Sequence, residues 1–233
     1  MTFPYNLIDL THTLDRTIPT WNGGCGFHHD VHIDYSDSPS EDQFRVMKVK
    51  MHAEIGTHMD APSHCIPGGR FIHDFDVNDL IMPCVVIDVS GQCHERYSLN
   101  TQDVENFERK HGIIPKGACV MVQTGWSKFW STPEKYHNNH VFPSVSSEAA
   151  ERFLERGVRA LGIDTLSPDR PEDGFQVHQK FLGAGQIIIE NVANLDKMPP
   201  IESFVAVLPL NIQDGTEAPV RIVGLIEREF PKN

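Results

Sequence analysis

Short runs that are apolar on both faces set the first limit on the fold. Residues 84–89 read CVVIDV and residues 187–190 read IIIE. A strand without a polar face has to be covered on both sides, so these segments are expected at the centre of a sheet. Further strands are expected at 119–126 (CVMVQTGW), 159–165 (RALGIDT), 204–212 (FVAVLPLNI) and 220–227 (VRIVGLIE). Residues 44–55, FRVMKVKMHAEI, behave differently. Met47, Val49, Met51, Ala53 and Ile55 share one face, and Val46, Lys48, Lys50, His52 and Glu54 the other. That period of two predicts a half-buried strand. Helices are expected at 101–112, opened by Thr101 as N-cap and closed by Gly112, and at 146–157, between Ser146 and Gly157. A shorter one is expected at 175–185. Strands outnumber helices, there is no internal repeat and no linker. The expectation is an α/β (mixed α+β) fold, one domain over 1–233 built on a large mixed sheet.

The formal net charge of −12 argues against nucleic acid and anionic membrane surfaces as partners. A small-molecule substrate is the expected partner. Five cysteines are scattered without a CxxC pair, which suits a reduced, cytoplasmic protein. The first residues lack a basic start followed by an apolar core, so no secretory signal is expected. No apolar run reaches the length of a membrane span.

The chemistry gathers in HAEIGTHMDAPSH, residues 52–64. Imidazoles and carboxylates alternate there, Gly56 permits a turn, and Pro62 fixes the backbone beyond Asp60. Neutral imidazole with carboxylate is the usual donor set for divalent zinc, manganese or iron. The plainer alternative is a polar strand end with surface histidines. A second segment, VHQKFLGAGQIIIENV, places His178 and Glu190 twelve residues apart. Glu190 closes an apolar strand. If it is buried it needs a partner or an ion, and otherwise it reaches solvent. His111, His137 and His140 sit in polar surroundings and are read as surface histidines.

The stretch from Glu54 to His64, E-I-G-T-H-M-D-A-P-S-H, resembles the cyclase-family signature HxGTHxDxPxH. Bacterial kynurenine formamidases of tryptophan catabolism are its best-known members, and isatin hydrolases are related. DLTHTLDRTIPTW (9–21), TGW (124–126) and GIDTLSPD (162–169) resemble further family segments, and His178 with Glu190 matches its second ligand pair. The resemblance implies a swivelling β/β/α-like domain, assembled as a homodimer or homotetramer with sites near the subunit contacts. It also implies one or two divalent ions per chain, manganese or zinc. His58 and Asp60 would bind metal, Asp60 bridging to a second ion completed by His178 and Glu190. His64 would transfer protons as general acid/base, and Trp21 would line the substrate pocket.

One position departs from the family pattern. Glu54 stands where the signature has its first histidine ligand. A glutamate there would still ligate and would tilt the site towards manganese. His52, one strand repeat away, is the substitute if Glu54 does not. The resulting expectation is an enzyme: a metal-dependent, arylformamidase-like hydrolase of amide or formamide C–N bonds in small cyclic or aryl substrates. Its water would be activated by metal. The alternatives are a lactone hydrolase or cyclase/dehydratase on the same scaffold, or a non-catalytic metal-binding homologue.

Overall fold

The computed structural model describes residues 3–37 and 41–228. In chain order the strands before the first helix are β1 (Tyr5–Asp9), β2 (Phe27–Ile33), β3 (Val46–Met51), β4 (His58–Asp60), β5 (Ile81–Asp88) and β6 (Ser98–Leu99). Then come α1 (Thr101–His111), β7 (Cys119–Gln123), α2 (Pro133–His137), β8 (Ser144–Val145), α3 (Ser147–Glu155) and β9 (Ala160–Ile163). The chain ends with α4 (Gln176–Gly183), β10 (Ile187–Glu190), β11 (Ser203–Pro209) and β12 (Glu217–Glu227).

Strands β12, β11, β5, β7, β9, β10 and β4 pair in that order, and β4 pairs again with β12, so the sheet closes on itself like a barrel. β1 is added antiparallel to β12. The pairs β5–β7, β7–β9 and β9–β10 are parallel. A parallel pair needs a long crossover, and α1, α3 and α4 supply the three. The mixed sheet and the α/β class are therefore as the sequence suggested.

The doubly apolar strands follow from this layering. Cys84, Val86, Met121, Ile187 and Ile189 fill the barrel interior with Val205, Val207 and Ile222. Their neighbours Val85, Ile87, Val120, Val122, Leu161 and Ile188 face outwards and meet Val104, Phe107, Phe153 and Phe181 of the helices. The apolar side chains from Cys84 to Ile87 on β5 and from Ile187 to Ile189 on β10 thus all leave water. The start of α1 differs by one residue from the expectation. Asn100, not Thr101, is the cap, accepting from the backbone N–H of Gln102 and Asp103 while Asp103 accepts from Asn100.

The strand expected at 44–55 is shorter, and it is not half-buried. β3 ends at Met51 and pairs with β2 alone in a separate hairpin. The alternation is real: Met47 lies opposite Val31 and Met51 opposite Phe27. Only the root of that apolar face is covered, where Phe27 packs with Ile18, Ile55 and Met51. Further out, Val31, Met47 and Val49 are exposed. Nothing among the described residues covers this face.

Candidate metal centre

β4 carries the centre. It lies antiparallel between β10 and β12, with His58 opposite Glu190 and Asp60 opposite Glu217. Met59, Ile189 and Ala218 point into the barrel. By strand alternation His58, Asp60, Glu190 and Glu217 therefore share the opposite face. α4 packs on Ile188 at that face, and His178 sits in its first turn.

The turn that feeds β4 is specified locally. Gly56 has φ +63°, and a Cβ there would stand 2.4 Å from Leu14 Cδ2. Glycine takes this positive φ without the strain that a side chain would bring. Thr57 donates its hydroxyl to the Asn191 carbonyl at 2.7 Å. The Asn191 amide donates to the Gly56 carbonyl at 2.9 Å and its Oδ1 accepts from the Tyr136 hydroxyl at 3.0 Å. Asn191 itself lies in the left-handed region at φ 57°, so this network holds a strained residue beside Glu190. The TGW and GIDT segments meet behind it. Asp164 accepts from Thr124 N–H at 2.9 Å, Thr124 Oγ1 at 2.6 Å and Gly125 N–H at 2.9 Å.

Four donors converge. His58 Nε2 stands 3.5 Å from Asp60 Oδ1 and 3.3 Å from Glu190 Oε2. His178 Nε2 stands 3.7 Å from Asp60 Oδ2 and 3.5 Å from Glu190 Oε1. Each carboxylate thus turns one oxygen to each imidazole. His58, Asp60 and Glu190 can bring one donor atom each within 4.8 Å of the others. The second nitrogens are already used. His58 Nδ1 donates to the Gly56 carbonyl at 2.8 Å, and His178 Nδ1 to Asp169 Oδ2 at 2.8 Å. This leaves both Nε2 atoms to face the carboxylates, the arrangement that supports imidazole ligands. Asp169 also accepts from the backbone N–H of Val177 and His178, which locks the start of α4.

These residues fit a divalent cation. His58, Asp60 and Glu190 each offer one donor atom to a common point, and His178 faces the second oxygens of the same two carboxylates, a donor set of the kind that holds a divalent ion. Asp60 Oδ1 is buried and has no hydrogen-bond partner, an arrangement that is costly unless something binds it. Without an ion, protons take its place. Burial is the largest effect on His58 and lowers its pKa, but Asp60 and Glu190 together outweigh it and carry the group to about 9. His178 is raised well above its usual value, with burial opposing and Asp169, Asp60 and Glu190 prevailing. Burial pushes Glu190 up, and the two imidazoles hold it well below the usual carboxylate range.

His64 lies beside this centre, its ring 5.9 Å from that of His178. Its Nδ1 is 2.7 Å from Glu217 Oε1. Hydrogen bonds with the Cys65 side chain and then with Glu217 raise its pKa to about 11, against the effect of burial. A cavity of about 370 Å³ opens onto His58, Asp60, His178, Glu190 and His64. Pro19, Trp21, Leu166 and Phe175 form its apolar wall, and the Trp21 and Phe175 rings are 5.9 Å apart.

The structure thus brings together His58, Asp60, His178 and Glu190, with His64 and Trp21 on the same cavity. Glu54 lines that cavity but stands outside the convergent set, 3.6 Å from His52 Nδ1. Glu217 and Asp169 were not singled out from the sequence. Glu217 is reached only through strand register, 157 residues from Asp60, whereas Asp169, the last residue of GIDTLSPD, was in view without its role. His137 and His140, read as surface residues, are half-buried, and each donates Nε2–H to the Trp21 carbonyl at 2.8 Å.

Residues 8–170 match the family model described as putative cyclase. Kynurenine formamidase of Bacillus cereus is 30% identical over 217 residues, covering 93% of this chain and 95% of that protein. Isatin hydrolase A of Labrenzia aggregata, solved with benzyl benzoate, superposes with a TM-score of 0.85 at 28% identity, covering 96% of this chain and 94% of that one. A structure described as a potential metal-dependent hydrolase with cyclase activity gives a TM-score of 0.75 at 25% identity, covering 97% and 99%. Formamidases and isatin hydrolases cleave carbon–nitrogen bonds outside peptides. Motif, fold and relatives agree, and the chain belongs to the cyclase family.

Proposed function

We propose that this chain is a metal-dependent hydrolase of the amide or formamide C–N bond in a small cyclic or aryl substrate. The observation that carries the reading is one cavity shared by four convergent metal donors, an ion-paired His64 and an aromatic wall. His58, Asp60, His178 and Glu190 would hold the ion. A bound divalent cation supplies Lewis-acid polarisation of the carbonyl and acidifies water. Asp169 and the Gly56 carbonyl fix the two imidazoles, so the donors need no rearrangement. Cys65 and Glu217 both hydrogen-bond His64 and raise its pKa, and Glu217 orients the ring through Nδ1. Trp21 and Phe175 offer flat apolar surface to an aryl group and displace water from it.

The experiment is a substrate panel with metal-stripped and manganese- or zinc-reloaded protein. Formanilide or isatin hydrolysis that appears on reloading supports the reading. Turnover of simple lactones alone would favour the lactonase alternative, and no turnover at any metal loading would favour a non-catalytic homologue.

We also propose that the chain works as a homodimer or homotetramer. The uncovered apolar face of the β2–β3 hairpin supports this, because a two-stranded hairpin alone is marginal in water. Sedimentation showing only monomer would remove this part of the reading.

A further inference from the structure

Arg170 is the only buried Lys or Arg among the described residues, its side chain 8% exposed. The chemistry proposed above does not use it. Its Nε donates to Asp173 Oδ2 at 2.8 Å and its Nη2 to Ser98 Oγ at 3.0 Å, and Ser98 Oγ lies 2.7 Å from Ser144 Oγ. The guanidinium thus joins the β6–β8 ladder to a turn. Its Nη1 is buried without a partner. Burying a cation is costly, and an apolar side chain of similar volume commonly packs as stably. Packing alone therefore does not account for an arginine here.

Residues 171–176 are all exposed, so the turn that Arg170 holds has no apolar anchor. Its ends are fixed. The Pro168 carbonyl accepts from Val145 N–H at 2.8 Å, and Asp169 accepts from the N–H groups of Val177 and His178. Between these points side chains tie the turn down: Glu172 pairs with exposed Arg96 at 2.6 Å, and Asp173 with buried Arg170. Gly174 and Phe175 both take positive φ, 81° and 52°. For phenylalanine that conformation is strained and persists only where the surroundings hold it. Phe175 is also the side chain that faces Trp21 on the cavity wall and turns its ring against that of His178, 5.9 Å away.

We infer that Arg170 is a positioning residue for the aromatic wall: by gripping Asp173 it holds the 171–175 turn so that Phe175 stands over the cavity, and it thereby favours substrates that carry a ring. The inference rests on the hydrolase reading above. Arg170 itself does not line the cavity, so it acts on binding of the ring and not on bond cleavage.

Two readouts test this on the metal-loaded protein. In Asp173→Ala and in Arg170→Met, KM for formanilide should rise by about tenfold, the scale of one lost aromatic contact, with kcat and metal content as in the parent. KM for N-methylformamide, which has no ring, should not move. The double variant should lose no more than either single one, because the two side chains act as a unit. In calorimetry, benzamide should bind the parent more tightly than acetamide, and that preference should shrink by the same factor in Asp173→Ala. Equal losses on both formamides with a lowered melting temperature would make Arg170 merely structural and overturn the inference. An unchanged formanilide KM in Asp173→Ala, loss of metal in either variant, or equal binding of the two amides by the parent would also overturn it. Asp173 is 46% exposed, so Asp173→Ala decides the matter even where Arg170→Met does not fold. If the parent turns over no formanilide, the hydrolase reading fails, and the amide-binding comparison still decides the role of Arg170.

Discussion

Asp60→Asn is expected to abolish stable metal binding and to lower hydrolysis by roughly a thousandfold or more, beyond the ~10–100-fold lost when a residue merely supports a ligand. Asp60, like Glu190, faces both imidazoles of the site. It gives Oδ1 to His58 and Oδ2 to His178, so its loss removes an anionic oxygen from each. The exchange keeps the side-chain shape in a fully packed strand. The melting temperature then separates binding from folding. Saturating manganese or zinc should stabilise the parent by about 2.7 kcal/mol at ~100 times the dissociation constant. That increment should vanish in Asp60→Asn. A variant that keeps both the metal and the increment would show that the ion is held elsewhere.

His64→Ala should leave metal content intact and lower the rate by about a hundredfold or more, the usual contribution of a positioned acid. Glu217→Gln should lose less, since the amide oxygen still accepts from Nδ1 while the negative charge is gone. Because the carboxylate raises the His64 pKa, its removal should move the alkaline fall in activity to lower pH. The double variant should lose little more than His64→Ala, because the two side chains act as one unit. Loss of metal in His64→Ala, measured by elemental analysis, would make His64 a ligand instead of an acid.

What could be read along the chain was set by local physics. His58 and Asp60 are two apart on one strand, so their common face is a property of the sequence. The apolar runs at 84–89 and 187–189 announced burial on both faces, and the barrel with its helices supplies both coverings. Glu217 was hidden because its place opposite Asp60 depends on the register of β12 against β4, which closes only when the whole sheet does. For β3 the alternation was read correctly but its consequence was not, and its partner β2 was not read as a strand. Periodicity reports that a face should be covered and is silent on whether this chain covers it. Glu54 lines the cavity apart from the other donors. The family position was located, yet exposure and the pairing with His52 depend on the turn at 53–54, where β3 has already ended.

The most direct test of the metal centre is calorimetric titration of the stripped chain with manganese or zinc, repeated in buffers of different ionisation enthalpy. The two imidazoles have raised pKa values in the metal-free fold, so they are protonated at neutral pH. Their charged forms stabilise that fold fully below the ordinary histidine value of about 6.5, and for His58 this contribution is lost as the pH rises through about 9. An ion needs both Nε2 atoms neutral. Binding at pH 7 should therefore release protons from His58 and His178 together, affinity should rise with pH, and proton release should shrink above about pH 9. Saturable binding with that release, lost in Asp60→Asn, is the predicted result. No binding of either metal, or binding without proton release at pH 7, would contradict the account.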